Sequence, residues 1–76
     1  DDPSALVRQA AVGAIARLGG DGARTAIEAL LGHEAPPVRF QAVRALAGFG
    51  PPATTPLVRT LGDADREVRT EAALAI

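Results

Sequence analysis

The dipeptide Val-Arg occurs three times in this chain, at Val7-Arg8, Val38-Arg39 and Val68-Arg69, with spacings of 31 and 30 residues. Self-similarity at a fixed period constrains a fold more than any local propensity. Each unit must be one supersecondary element that buries its apolar face on its neighbours. The match extends beyond the dipeptide. Val7, Ala11, Val12, Ala14, Ile15, Leu18 and Gly19 correspond to Val38, Ala42, Val43, Ala45, Leu46, Phe49 and Gly50. With Gly20 taken as a one-residue insertion, Ala23, Thr25, Ile27, Leu31 and Gly32 correspond to Ala53, Thr55, Leu57, Leu61 and Gly62. A third copy opens at Val68-Arg69 and continues through Ala72, Ala75 and Ile76. The chain divides into repeat 1 (1–32), repeat 2 (33–62) and a partial repeat 3 (63–76).

The spacing inside each copy is helical. Val38, Ala42, Ala45, Leu46 and Phe49 stand at i, i+4, i+7, i+8 and i+11, one apolar stripe on a 3.6-residue period. Abundant alanine and the lack of period-two alternation argue against strands. Gly19 and Gly50 are placed to close the long helices in the left-handed conformation. A shorter helix follows each, with Ala26, Ile27, Leu30 and Leu31 facing inward before Gly32, and Leu57, Val58 and Leu61 before Gly62. Each unit is a helical hairpin of about 30 residues.

Ser4, Ala35 and Asp65 stand three residues before the repeated valine, at the expected N-cap. Serine and aspartate can accept a bond from a free backbone N–H there; alanine cannot. Pro36 at the first helical position loses nothing, because its missing N–H would be unpaired and its φ is already helical. Pro36-Pro37 therefore opens the second long helix. For the short helix of repeat 2, either Pro52 opens it and Pro56 disturbs its first turn, or Thr55 caps a helix starting at Pro56. Alignment of Pro52 with Gly22, after the candidate cap Asp21, favours the first.

Two segments now carry a resemblance. Asp-Arg-Glu-Val-Arg-Thr-Glu-Ala-Ala-Leu-Ala at 65–75 and Pro-Val-Arg-Phe-Gln-Ala-Val-Arg-Ala-Leu-Ala-Gly-Phe-Gly at 37–50 resemble the first helix of a HEAT repeat. The short period is similar to the compact HEAT-like units of phycobilisome (bilin) lyases. The resemblance implies an all-α fold, an α-solenoid (an ARM/HEAT-like superhelix) of stacked antiparallel hairpins, about two and a half repeats here. It also implies a protein–protein interaction scaffold, whose partner is another protein or neighbouring repeats and domains of the same chain. Neither end carries a polar capping repeat, so the stretch is expected to belong to a longer array.

Composition narrows the function classes. The net charge is −1, and the aromatics are only Phe40 and Phe49, so nucleic acid finds neither a cationic track nor a stacking platform. There is no cysteine and hence no thiolate chemistry, which favours a cytoplasmic setting. No apolar run is long enough to span a membrane. All eight basic residues are arginine, which we read as the coding bias of a GC-rich bacterial sequence.

The recurrent arginines Arg8, Arg39 and Arg69 are expected to be structural. Each lies near a helix start, within reach of an acid or of carbonyls in the adjacent repeat, and Asp2, Asp63 and Asp65 suit that ladder. His33 and Ala35 interrupt the acidic series. The rival, an arginine row gripping an anion, suits a neutral chain poorly. His33-Glu34 invites comparison with the His-Glu pairs that hold iron in HEAT-like deoxyhypusine hydroxylases. A metal needs three or four converging ligands, and this chain has one histidine. No catalytic, cofactor or metal residues are therefore assigned, and the chain is read as not an enzyme. The alternative is a segment of a bilin lyase-like or hydroxylase-like enzyme whose chemistry lies elsewhere. Gly19-Gly20-Asp21-Gly22 follows a helix and lacks a Gly-Lys-Ser/Thr ending, so it reads as a hairpin turn rather than a phosphate loop. The expected partner surface lies on the shorter helices, at Arg24, Glu28, Val58 and Arg59.

Overall fold

The computed structural model describes residues 12–15 and 17–76. Val7, Arg8 and Ala11, with Asp2 and Ser4, lie outside the described residues. Every regular element among the described residues is helical. Residues 12–15 and 17–18 are helical and lead to α1 (Gly20–Leu30). Then follow α2 (Pro36–Ala47), a 3-10 turn (Pro51–Ala53), α3 (Thr54–Thr60) and α4 (Arg66–Ala75).

Helix α2 is central and packs on α1, α3 and α4. Its Val38, Ala42, Val43 and Leu46 are completely buried, with Val12, Ile27, Ala53, Leu57, Val68 and Ala72 completing the core. Ala42 and Ala72 are small, fully buried members of this core, one on each of the packed helices α2 and α4. Phe40 and Phe49 are only partly buried against this cluster, so the core is aliphatic.

The helix starts show two chemistries. Asp65 caps α4, its carboxylate accepting the N–H groups of Glu67 (2.9 Å) and Val68 (3.1 Å). Ala35 occupies the same extended backbone position before α2 with no side-chain cap, and Pro36-Pro37 supply the first turn. The short helix of repeat 2 opens through Pro51-Pro52, with Ala53 N–H bonded to the Gly50 carbonyl at 3.0 Å. Pro56 falls within the first turn of α3, where backbone N–H groups have no intrahelical partner.

Several sequence expectations need correction. Helix α2 ends at Ala47, before Gly50, because the Gly48 and Phe49 N–H groups tighten the chain onto the carbonyls of Ala45 and Leu46. Gly50 (φ 73, ψ −148) and Gly19 (φ 72, ψ −175) are not left-handed helix caps. Both sit in a region open essentially to glycine alone, and there they redirect the chain into the second helix. Gly20 adds a second positive φ, of 82°, which absorbs the extra residue of repeat 1. Asp21 is not a cap but a first-turn acid of α1, placed to favour the helix dipole.

Ala26, Val58 and Leu61, expected inside, are exposed, the last two at 48% and 42%. Because the second hairpin helix starts at Pro51, its inner face is Ala53, Pro56, Leu57 and Thr60, at i, i+3, i+4 and i+7. Thr60 is buried without an orphaned hydroxyl, since Oγ1 donates to the Pro56 carbonyl at 2.8 Å. Leu18, aligned with the half-buried Phe49, does not join the core and is 84% exposed.

Candidate functional site

Arg39 is a strap between two loops. Arg39 projects from the first turn of α2, and its Nη1 donates to the carbonyls of His33 (2.8 Å) and Glu34 (3.1 Å) in the loop before its own helix. Its Nε and Nη2 donate to Asp63 Oδ2 (2.9 Å) and Oδ1 (3.0 Å), one period further on. Asp63 Oδ1 also accepts the Asp65 N–H at 2.8 Å. Arg69 repeats half of this pattern, with Nη1 donating to the carbonyls of Asp63 (2.8 Å) and Ala64 (3.0 Å).

The Arg39 and Asp63 side chains are only 13% and 10% exposed. That shielding makes their bidentate contact stronger than an ordinary surface pair. Burial alone pushes the Asp63 carboxyl up. The Arg39 bonds, the Asp65 N–H and the charges of Arg39 and Arg69 outweigh it together, holding the group below its ordinary 3.8.

Between α1 and α3 runs an open groove of about 580 Å³. Thr25 and Glu28 form one wall, Arg59 and Thr60 the other, with Gly32 and Asp63 among the residues of its floor. Two successive repeats thus build one depression. Across α1, Arg24 Nε lies 3.4 Å from Glu28 Oε2, an i,i+4 ion pair, yet that buried Nε makes no hydrogen bond. The contact is one of charge, with poor donor geometry.

The family model for HEAT repeats matches residues 1–76. The chain belongs to the HEAT-repeat family. No curated protein matches it. HEAT repeats commonly serve as protein-interaction scaffolds, and the groove is the depression that two of these repeats build together.

Among the residues singled out in the HEAT sequence, Val38, Ala42, Val68 and Ala72 are core, Arg39 is a strap between loops and Arg69 clamps its own loop. Glu28 and Arg59 line the groove; Arg24 reaches it only through Glu28, and Val58 is exposed but outside the lining. His33 Nδ1 accepts the Ala35 N–H at 3.0 Å, so the imidazole is engaged in its own loop. No three His, Cys, Asp or Glu side chains converge among the described residues. No helix among them is long and apolar enough to cross a membrane.

Sequence reasoning missed Thr25, Ala29, Pro56 and Thr60 as groove residues. The i, i+3, i+4, i+7 spacing of Ala53, Pro56, Leu57 and Thr60 was the available signal for α3. The groove itself had none, because it arises between helices remote in sequence.

Proposed function

We propose that this chain is a protein-interaction scaffold, a short-period HEAT solenoid that presents the α1–α3 groove to a partner protein. The groove carries the reading: an open depression lined by side chains from two successive repeats. Stacking into a superhelix is supported by the Arg39 strap, which ties the loop before α2 to the loop before α4, one period further on. Arg69 has the same two carbonyl bonds, and its remaining N–H groups have no acceptor among the described residues. The period of about 30 residues supports the compact repeat type seen in bilin lyases. We read the chain as a binding module rather than an enzyme because the two acids in the groove, Glu28 and Asp63, are held in ion pairs.

A photo-crosslinking residue at Thr25, with Arg44 as a control outside the groove, tests the reading. A captured protein should then bind the purified chain and weaken on Ala29→Trp, which fills the groove from an exposed lining position without changing its charge. Equal capture from both positions, or an unchanged affinity, would overturn it.

A further inference from the structure

The groove's donors and charges define what it can recognise. Three ionised side chains line it: Glu28, Asp63 and Arg59. Glu28 already faces Arg24, and Asp63 takes both arms of Arg39. Arg59 makes no ion pair among the described residues, so the lining and its attached pairs leave one uncompensated positive charge. The hydroxyl protons are also committed. Thr25 Oγ1 donates to the Asp21 carbonyl at 2.9 Å and Thr60 Oγ1 to the Pro56 carbonyl at 2.8 Å. The floor N–H groups of Gly32 and Gly62 are bonded to the Ala29 and Arg59 carbonyls. The guanidinium of Arg59, a planar fork of five N–H donors, is the unused donor set. Around it the lining is small and aliphatic, with Ala29, Leu31 and Pro56.

We propose that the groove takes an acidic segment of a protein partner, with Arg59 reading a carboxylate while short aliphatic side chains pack on Ala29 and Leu31. This rests on the groove being the interaction face. A cationic segment is disfavoured, because it would have to displace Arg24 or Arg39 to reach an acid and would meet Arg59 unpaired. A phosphate backbone is disfavoured too, since one free arginine between two paired acids gives no track along a strand.

The test is a titration of the isotope-labelled chain with short acetylated peptides alternating alanine with glutamate, glutamine or lysine, followed by amide chemical shifts. The glutamate peptide should move the signals of Thr25, Ala29, Gly32 and Gly62, and bind about tenfold more tightly than the glutamine peptide. Arg59→Gln is an exposed, surface-neutral change, verified by an unaltered melting curve, and should erase that preference. Equal affinities for the glutamate and glutamine peptides, tighter binding of lysine, or an unchanged preference in Arg59→Gln would overturn the carboxylate reading while leaving the groove as the face. Shifts that map outside the groove for every peptide, or no shift with any, would overturn both.

Discussion

The loops before α2 and before α4 are copies in backbone and strangers in side chain. In each, three successive N–H groups close the preceding helix: Leu31, Gly32 and His33 onto Glu28, Ala29 and Leu30, and Leu61, Gly62 and Asp63 onto Val58, Arg59 and Thr60. In each, the residue two before the N-cap accepts the N-cap's N–H through its side chain, His33 Nδ1 in one loop and Asp63 Oδ1 in the other. In each, the register arginine clamps two loop carbonyls. The difference lies beyond this shared frame. Asp63 has a second oxygen for Arg39; a neutral His33 accepting at Nδ1 carries its proton on Nε2 and offers a donor there instead. The loop's shape is therefore fixed by its backbone and its own arginine, and the acid adds a bond to the previous repeat.

That division predicts unequal costs. Asp63→Ala removes two charge-assisted bonds and the acceptor of an N–H, and should destabilise the chain by about 2 kcal/mol in urea unfolding. His33→Ala removes one neutral bond and should cost about 1 kcal/mol or less. Equal losses would mean that the ion pair contributes nothing beyond loop shape. Arg39→Gln should resemble Asp63→Ala, and the two changes together should cost much less than their sum.

Acid should act on the second loop in the same direction. The folded carboxyl of Asp63 titrates below 3.8, so the unfolded chain binds its proton first. Its stabilising contribution is complete above the unfolded value, declines below about pH 4 and disappears as pH falls through the folded value. Stability measured against pH should thus fall more steeply for the parent than for Asp63→Ala in that range. Parallel curves would contradict the pairing.

The comparison also shows why some features were legible in the sequence. Period, helix stripes and the structural use of Arg39 follow from one-dimensional spacing, and Val38, Ala42, Leu46 and Val68 are buried where that spacing puts them. Asp63 stood among three acids suited to the recurrent arginines, but its pairing with Arg39 was not legible, nor was the division of Arg39 between its own loop's carbonyls and the next repeat's carboxylate. That geometry depends on how α2 and α4 stack. Val58 and Leu61 were misread because hydrophobicity was counted without the 3-10 turn that sets the phase of α3. Thr60 was passed over because a polar residue is an improbable core position until its bond to Pro56 is seen.

A smaller contrast concerns the helix starts. Asp65→Ala strips the cap from the Glu67 and Val68 N–H groups and should cost about 1 kcal/mol. An uncapped Ala35 ought to make α2 the weaker start, yet it has fewer donors to satisfy.

The smallest effect separates capping a donor from deleting it. At the position of Glu67, α2 has Pro37, which has no N–H, and the Val38 N–H already bonds the Ala35 carbonyl at 3.0 Å. A carboxylate introduced by Ala35→Asp therefore finds at most one shared donor. It should gain no more than about 0.5 kcal/mol, measured by urea unfolding. Ala35→Asp combined with Pro37→Glu restores the missing donor, and the aspartate's gain in that background should approach the loss seen for Asp65→Ala. The proline replacement itself loosens nothing in the folded helix but enlarges the unfolded ensemble, so its cost is measured separately in Pro37→Glu. If Ala35→Asp alone recovered the full cap energy, the prolines would not be substituting for a cap. The two loops would then differ only by an omission.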